Sequence, residues 1–370
     1  MSNPNDIETD IETLYPLLED YESEPEAAHD VIGRAQGCML GQLAGDSLGS
    51  LVELQSTSSI RTHYPNGIRD LADGGLHRLI AGQPTDDSEM ALMLARSIIR
   101  AGRFDPSEAA VAYAHWYASP PFDYGAATTQ ALMPAVAALK RGEDPASVAA
   151  TARSTAARES QANGALMRVS PLGIYAHTLS PAAAADLARQ DAAITHPNRV
   201  CRDASATFVV AIAHAVATGA QAEEVYRFVM NWATEEDHTQ PDSTTSVHSA
   251  IRDCLELAAT EPPEDFENQQ GWVLIALCNA FWQLLHAPSL EEGVSDTVMR
   301  GGDTDTNAAI AGALLGAVHG IDAIPTRWRE TILSCRPEPG RPGVHRPRPT
   351  SLWPVDALLL ARRLVELGRH

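Results

Sequence analysis

The spacing of apolar residues is the feature that most limits what this chain can fold into. Alanine-rich segments carry apolar side chains at three- and four-residue intervals, which places them on one face of a helix. Strictly alternating runs of β-branched residues are nearly absent. The sequence therefore predicts an all-α protein. We expect helices over residues 31–50, 87–101, 107–118, 125–140, 145–156, 181–190, 200–218, 221–233, 243–259, 271–287, 290–299, 305–319, 325–335 and 355–368.

The composition is that of a protein with a sizeable core. Of the 370 residues, 44% are hydrophobic and 20% are charged, as in folded globular domains. The formal net charge of −21 opposes binding to nucleic acid or to an anionic membrane, so neither is an expected partner. The cysteines are widely spaced and lack zinc-ligand patterns, which indicates reduced, mostly buried thiols. With no basic, apolar leader and no long apolar run, we expect a cytoplasmic protein.

The N-terminal 29 residues differ in composition from the rest. Residues 1–30 hold ten carboxylates and no Lys or Arg. Several apolar side chains nevertheless fall near one helical face, namely Ile7, Ile11, Leu14, Tyr15 and Leu18. The segment is either a disordered acidic tail or an arm that docks on a basic partner or over the protein's own cleft. We divide the chain into an acidic extension, 1–29, and a main domain, 30–370.

Two segments of the main domain have unusual backbone chemistry. Between Arg336 and Pro354 the chain carries six prolines, which forbids helix and favours an extended strap over the surface. Near the start of the domain, a predicted helix carries glycine at four-residue intervals, at Gly37, Gly41, Gly45 and Gly49. One face of this helix lacks side chains, so a second helix can approach it closely. Gln42 and Asp46 on the same helix argue against a membrane setting for this pattern.

The first candidate chemical motif is Thr85-Asp86-Asp87-Ser88, which opens an apolar helix. Capping alone would explain it, because a threonine N-cap and acids in the first turn stabilise any helix start. A second motif changes this interpretation. Asp303, Asp305 and Thr306, in GGDTDTN, open a helix of small residues that favours deep burial.

Carboxylates at a buried helix start need a cation or dense hydrogen bonding, because an unpaired buried charge costs several kcal/mol. Together the two motifs offer four carboxylates and threonine hydroxyls, the oxygen ligands that Mg²⁺ or Mn²⁺ prefers. They could hold two divalent ions. Such a pair can bind vicinal ribose hydroxyls, orient a water and lower the pKa of that water.

Four further features are ambiguous by themselves. Glu53 is either a surface acid or a metal ligand or general base, and Asp123 has a helix cap as its default interpretation. The small-residue loop from Asn163 to Pro171 could cradle a pyrophosphate through backbone N–H groups. His196 lies in a turn, where a lone histidine is usually solvated or a cap.

Taken together, these motifs resemble the ADP-ribosylglycohydrolase family. The matching segments are GDSLGSLVE, TDDSEMAL, PFDYGAATTQAL, NGALMRVSPLG, ITHPNRVCRDA and GGDTDTNAAIAGALLGA, in family order over residues 31–368. The resemblance implies a compact all-α catalytic domain with two divalent cations in a cleft, Mg²⁺ in preference to Mn²⁺. The acidic extension has no counterpart in minimal family members.

The resemblance also implies roles for individual residues. The metal ligands would be Thr85, Asp86, Asp87, Asp303, Asp305 and Thr306, with Asp305 bridging the two ions. The catalytic residues would be Glu53, Asp123 and Asp305. Substrate would contact Asp123, Asn163, Gly164, Ala165, Met167, Arg168 and His196, although Met167 and Arg168 also have a structural interpretation.

The leading hypothesis is metal-dependent removal of ADP-ribose from modified protein side chains, arginine above all. Some relatives resemble immunity proteins against ADP-ribosyltransferase toxins, so a cognate toxin is a second expected partner. An alternative hypothesis makes the chain a binding protein that occludes such a toxin through residues 1–29. A third makes it a family member that has lost catalysis, which the retained acids of both metal motifs oppose.

Overall fold

Helices account for the regular structure of the described part of the chain, which comprises residues 11–19, 29–239 and 249–369 of a computed structural model. A short helical turn covers residues 11–14. The longer helices are α1 (His29–Gly49), α2 (Thr57–His63), α3 (Asp86–Ala101), α4 (Pro106–Ala118), α5 (Ala126–Lys140), α6 (Pro145–Thr155), α7 (Ser170–Tyr175), α8 (Pro181–Ala192), α9 (Arg199–Thr218), α10 (Ala222–Thr239), α11 (Ser249–Ala258), α12 (Val273–His286), α13 (Leu290–Val298), α14 (Thr304–His319), α15 (Thr326–Ser334) and α16 (Ala357–Leu367). The predicted all-α class is confirmed.

Each predicted helix is present, apart from residues 243–248, which lie outside the described residues. Two short helices, α2 and α7, were not predicted. Helix α2 buries only Ile60, and Ser56 caps it by accepting from the Ser59 N–H. Helix α7 has Pro171 in its first turn. Both are too short to show a hydrophobic repeat, which explains why periodicity misses them.

Helices α1 and α14 form the centre of the molecule and pack more extensively than any other pair of described helices. A Cβ on Gly41 would lie 2.1 Å from the Gly312 carbonyl oxygen, and one on Gly45 would lie 2.0 Å from the Ala308 carbonyl oxygen. No side chain fits at such distances. The predicted close approach is therefore confirmed, and the antiparallel partner is the helix that begins with the GGDTDT motif.

Two apolar clusters surround this helix pair. One includes Cys38 and Met39 of α1 with the residues of α3, α4 and α9. The other includes Leu40 and Leu43 of α1 with residues of α13 and α15. Helix α9 is long and apolar enough to cross a membrane, but 83% of its most apolar 18-residue window is buried inside the protein, as in a core helix.

Residues 11–19 of the acidic extension dock on the protein's own surface. Ile11 and Tyr15 are buried, and the N–H of Leu18 donates to Asp356 Oδ2 at 2.8 Å. The Pro16 carbonyl accepts from Arg96 at 2.8 Å. This part of the extension is therefore ordered against the C-terminal half of α3, whereas residues 1–10 and 20–28 lie outside the described residues.

The proline-rich strap, residues 336–354, has no α-helix, as predicted, but it is not simply extended: turns lie at residues 339–340 and 342–343, and 3-10 turns lie at Thr350–Leu352 and Pro354–Asp356. It is not confined to the surface. Arg348 is only 5% exposed and Leu352 is fully buried. The strap thus contributes buried side chains: Arg348 contacts Glu89 of α3 and the loop after α4, and Leu352 belongs to the larger apolar cluster.

Candidate active site

The packing of α1 against α14 sets the position of the GGDTDT motif. A Cβ on Gly49, at the end of α1, would lie 2.4 Å from the Cα atom of Asp305. The Thr304 hydroxyl donates to the Gly49 carbonyl at 2.8 Å. The first turn of α14 is thereby held directly against the last turn of α1.

Asp46 of α1 joins the TDDS motif to the same place. Its carboxylate accepts from the Thr85 N–H at 3.1 Å, from the Thr85 hydroxyl at 2.9 Å and from the Ser88 N–H at 3.1 Å. The side chain of Thr85 does not cap α3. Simple capping by Thr85 is therefore wrong, because a carboxylate from another helix satisfies the free N–H groups of this helix start.

The carboxylates of both motifs are buried together. Asp86 is 8% exposed, Asp87 1% and Asp305 2%. Burial raises the pKa of each well above its usual range, and neighbouring carboxylates raise each pKa further: Asp123 and Asp87 for Asp86, Asp46 and Asp303 for Asp87, Glu53 and Asp87 for Asp305. Burial also raises the pKa of Asp46 to about 6, although hydrogen bonds from Ser88 and Thr85 oppose this.

This cluster has the chemistry of a divalent-cation site. Asp87 Oδ1 is buried without a hydrogen-bond partner among the described residues, and Asp87 Oδ2 lies 2.9 Å from the Thr85 hydroxyl, whose single hydrogen it shares with Asp46 Oδ1. Several buried carboxylates without a cationic side chain among them are unfavourable unless a cation compensates their charge. The residues present fit a hard divalent ion with oxygen ligands.

A second acidic group lies beside the first. The Nε2 atom of His77 is 3.3 Å from Glu53 Oε2 and 3.3 Å from Asp123 Oδ2. The Asp123 carboxylate and, next, that of Glu53 raise the pKa of His77 to about 9. Burial raises the pKa of Glu53, against the opposing effect of His77. The three side chains also have the spacing of a group that could hold a metal ion.

His77 was missed at the level of sequence. It lies at the tip of a tight turn in which Gly74 pairs with Leu79, and Gly75 and Arg78 both have positive φ angles of 73° and 55°. The loop has neither helical nor strand periodicity. Only the glycine pair that precedes it signals a turn, and nothing in the sequence signals that the turn reaches Glu53 and Asp123.

The two acidic groups line one cleft of about 330 Å³, within the size range of small-molecule sites. The cleft wall includes most of the predicted site residues, namely Glu53, Asp86, Asp123, Asn163, Gly164, Met167, His196, Asp303, Asp305 and Thr306. The Asn163 side chain donates to Asp303 Oδ2 at 2.7 Å and so joins the nucleotide loop to the carboxylate cluster. Thr85 and Asp87 are buried behind this wall.

Arg168 and Ala165 are fully buried and do not line the cleft. Arg168 Nε donates to Asp191 Oδ2 at 3.1 Å, and Arg168 Nη1 donates to the Thr195 hydroxyl at 2.9 Å. The structure therefore places the Arg168 guanidinium behind the loop, where it ties the loop to the end of α8. The hydrogen bonds of Arg168 go to the protein core, which favours its structural interpretation over direct contact with substrate.

The Thr195 hydroxyl links Arg168 to His196 by hydrogen bonds. The Thr195 hydroxyl lies 2.8 Å from His196 Nδ1. Because this hydroxyl accepts from Arg168, its own hydrogen is free to point to Nδ1, which leaves Nε2 as the N–H of the ring. Burial, followed by the charge of Arg168, lowers the pKa of His196 to about 3. His196 is thus a neutral group beside Gly164 at the cleft wall.

Comparison with known proteins identifies the family of this chain. The family model for ADP-ribosylglycohydrolase matches residues 27–366. The chain is 30% identical over 312 residues to the ADP-ribosyl-[dinitrogen reductase] glycohydrolase of Rhodospirillum rubrum, covering 82% of this chain and 90% of that protein. It is 28% identical over 325 residues to the ADP-ribosylarginine hydrolase Tri1 of Pseudomonas putida strain GB-1, covering 83% of this chain and 76% of that protein.

A solved structure described as an ADP-ribosylglycohydrolase-related protein complex has the same fold. It superposes with a TM-score of 0.69 at 29% identity and covers 92% of this chain and 99% of its own. The family match and the fold match each cover most of the chain. The protein therefore belongs to the ADP-ribosylglycohydrolase family and is a hydrolase of ADP-ribosyl linkages.

Proposed function

We propose that this enzyme removes ADP-ribose from arginine side chains of modified proteins by metal-dependent hydrolysis of the N-glycosidic bond. The observation that carries the proposal is the meeting of the TDDS and GGDTDT carboxylates at the wall of one cleft, beside the pair Glu53 and Asp123. The similarity to a hydrolase named for ADP-ribosylarginine supports the choice of linkage.

Two divalent cations would be held by Thr85, Asp86, Asp87, Asp303, Asp305 and Thr306, with Asp305 shared between them. We favour Mg²⁺ over Mn²⁺ because the donors are hard oxygen atoms. When bound, such cations supply Lewis acidity that lowers the pKa of water and orients the vicinal hydroxyls of a ribose. Asp87 Oδ1, which is buried without a hydrogen-bond partner among the described residues, supports this assignment.

The protein's own groups complete the reaction. Glu53, whose pKa is raised by burial, accepts a proton from the attacking water. The water oxygen bonds to the anomeric carbon as the bond from that carbon to the arginine nitrogen breaks. The Asp123 carboxylate stabilises the positive charge that develops on the sugar. The guanidine is the leaving group, and it takes up the proton that Glu53 accepted from the water. His77, between the two carboxylates, holds them in place.

Two features of the cleft mouth favour an arginine acceptor over a serine acceptor. The negative side chains Glu53 and Asp123 suit a cationic guanidinium group. Tyr124, next to Asp123, lines the cleft and is 50% exposed, and the edge of its ring rests against Tyr117 at a centroid distance of 5.8 Å. A flat, accessible aromatic ring is a favourable surface for a guanidinium plane.

The loop Asn163–Ala165 and His196 form the opposite part of the wall. Nε2 of neutral His196 is buried without a hydrogen-bond partner in the described part of the chain, and Gly164 packs directly on it, since a Cβ there would lie 3.1 Å from that atom. We propose that the nucleotide part of ADP-ribose lies along this side. In this arrangement Gly164 would contact the nucleotide through its backbone, and Asn163 through its side-chain amide.

The alternative of a toxin-occluding arm is less well supported. Residues 11–19 are docked on α3 and the strap through buried Ile11 and Tyr15, which leaves these residues unavailable for insertion into a partner. An immunity role exercised through hydrolysis is compatible with the proposal. In our proposal, protection against an ADP-ribosyltransferase toxin is exercised by hydrolysis in the cleft.

The test is release of ADP-ribose from a peptide modified on arginine, with a serine-modified peptide run in parallel, in the presence of Mg²⁺. We expect release from the arginine peptide alone. The variant Asp305→Asn should lose at least about a hundredfold in kcat, because a shared ligand is removed. Asp322→Asn is the control, since the side chain of Asp322 is fully exposed.

Release from the serine peptide alone would overturn the acceptor, whereas full activity of folded Asp305→Asn would overturn the metal ligands. Equal losses in both aspartate variants would show that the effect is unrelated to the site.

A further inference from the structure

The guanidinium group of Arg348, in the strap, is hydrogen-bonded through all of its nitrogen atoms to Glu89 and to the loop that follows α4. Nε and Nη2 donate to the two oxygens of Glu89, each at 2.8 Å. Nη1 donates to the carbonyl oxygens of Ser119 and, at 3.1 Å, Pro120, and Nη2 also donates to the Ser119 hydroxyl at 3.1 Å. An arginine has five N–H donors. All five are therefore satisfied, two by the Glu89 carboxylate of α3 and three by the loop that follows α4.

This loop leads directly into the catalytic cleft. It carries Phe122, whose ring centroid lies 5.9 Å from the Arg348 guanidinium carbon, and then Asp123. Phe122 in turn lies against the ring of His77 at a centroid distance of 5.3 Å. The segment has no regular secondary structure between Ser119 and Gly125. Its position is therefore set by such side-chain contacts and not by a helical backbone.

Glu89, the anchor of Arg348, is itself fixed. It lies in the first turn of α3, three residues after Asp86, and its Oε2 atom accepts from the Trp116 indole at 2.7 Å. Glu89 and Arg348 are 1% and 5% exposed. A buried bidentate pair of this kind has a single well-defined geometry. The pair thus relates the Asp123 loop to the helix that presents the metal-binding aspartates.

The strap also touches the second loop of the site. Arg346 Nε donates to the His77 carbonyl at 3.3 Å, and the Arg346 carbonyl accepts from the Gln83 side chain at 2.7 Å. Residues 346 and 348 therefore contact the loops that carry both His77 and Asp123. Pro347 lies between these two arginines and Pro349 follows Arg348, so the backbone freedom of the strap is limited at this point.

We propose that Arg348 is a positioning residue for the hydrolysis, which holds the loop 119–123 so that Asp123 faces the sugar while His77 spans Asp123 and Glu53. This inference rests on the proposed function in one respect, the catalytic role of Asp123. Arg348 itself does not line the cleft and acts through the loop.

A simpler interpretation makes Arg348 an ordinary structural anchor of the strap, and the chain contains a matched control for it. Arg96 lies on α3, as Glu89 does. It forms a buried bidentate pair with Asp356 at 2.8 Å and donates to the Ser351 carbonyl of the strap at 2.9 Å. Arg96 is 3% exposed. It contacts residues 11–19 and the strap, not the loop of Asp123.

The experiment compares Arg348→Lys with Arg96→Lys in the full-length enzyme. We measure kcat and KM for ADP-ribosylarginine peptide, thermal stability, and amide hydrogen exchange of residues 119–125. For Arg348→Lys we expect kcat to fall by about tenfold or more with KM within about threefold, because small displacements of a reacting group are costly. Exchange in residues 119–125 should rise. Arg96→Lys should lose stability to a similar degree but keep kcat within about twofold.

The milder variant Ser119→Ala, which removes one contact of Arg348, should show a smaller change in the same direction if Arg348→Lys does not fold. Equal loss of kcat in both arginine variants, in proportion to stability, would overturn the positioning role. So would unchanged exchange of residues 119–125 in Arg348→Lys.

The variant Asp123→Asn separates this inference from the proposed function. If Asp123→Asn is fully active, the assignment of Asp123 as a catalytic residue is wrong, and the rise in hydrogen exchange alone decides whether Arg348 holds the loop. If Asp123→Asn is inactive and Arg348→Lys retains full kcat, the positioning role is wrong and the function stands.

Discussion

Individual residues explain why the site could be predicted in part. Asp86, Asp87, Asp303 and Asp305 occur as adjacent or alternate acids at two helix starts, and such acids in a buried setting need a cation or dense hydrogen bonding. That reasoning needs only local spacing. His77 and Glu89 have no such local pattern. Their roles arise from contacts with residues far away in the chain, such as the pair of Glu89 with Arg348, so sequence reasoning could not reveal them.

The position of His77 between two carboxylates predicts a pH-dependent contribution to stability. The pKa of His77 in the folded protein is about 9, above the ordinary value of 6.5. The contribution of His77 to the free energy of unfolding is therefore complete below pH 6.5 and is lost as the pH rises through 9. After allowance for solvent screening we expect at most about 2 kcal/mol.

The measurement is urea unfolding of metal-free wild-type protein and His77→Gln between pH 6 and pH 10. The difference between the two free energies of unfolding should be largest at pH 6 and should shrink towards pH 10. The variant His345→Gln removes an exposed histidine of the strap and should show no such trend. A difference that stays constant with pH, or grows as the pH rises, would contradict the account.

At the scale of helices, proline, glycine and apolar repeats predicted the elements well. The four-residue glycine spacing in α1 predicted a close partner helix but not its identity. That partner proved to be α14, and this contact places Asp305 beside the end of α1. The strap shows the limit of such reasoning. Its prolines predicted an extended backbone, whereas the burial of Arg348 depends on Glu89, which precedes it by 259 residues.

The helix contact predicts a large effect for Gly41→Ala. The new Cβ would lie 2.1 Å from the Gly312 carbonyl oxygen, so α1 and α14 would have to separate. We expect the free energy of unfolding to fall by about 3 kcal/mol or more, as for severe overpacking. Urea unfolding with added Mg²⁺ measures it.

Gly33→Ala on the same helix is the control. Its Cβ would meet only Ile321 Cγ2, at 3.8 Å, so the better helix propensity of alanine should stabilise the protein by up to about 1 kcal/mol. Similar effects of the two substitutions would show that the glycine face is not a packing surface.

For the molecule as a whole, the docked part of the acidic extension and the proline-rich strap contact each other. The Thr350 N–H donates to Glu12 at 2.7 Å, and the Ser351 hydroxyl donates to the Ile11 carbonyl at 3.1 Å. Composition alone left the acidic extension as either a tail or an arm. The docking of residues 11–19 could not be predicted because its partners, Arg96 and Asp356, lie 80 or more residues away.

The central claim is that the carboxylates of α3 and α14 hold the divalent cations on which hydrolysis depends. Its most direct test is the rate of ADP-ribose release from an arginine-modified peptide by protein stripped with EDTA, as Mg²⁺ or Mn²⁺ is added back. We predict no release before addition, a saturable recovery for the wild type, and no recovery for Asp305→Asn. Undiminished release by the stripped enzyme, or full recovery of the variant at the same metal concentration, would contradict the claim.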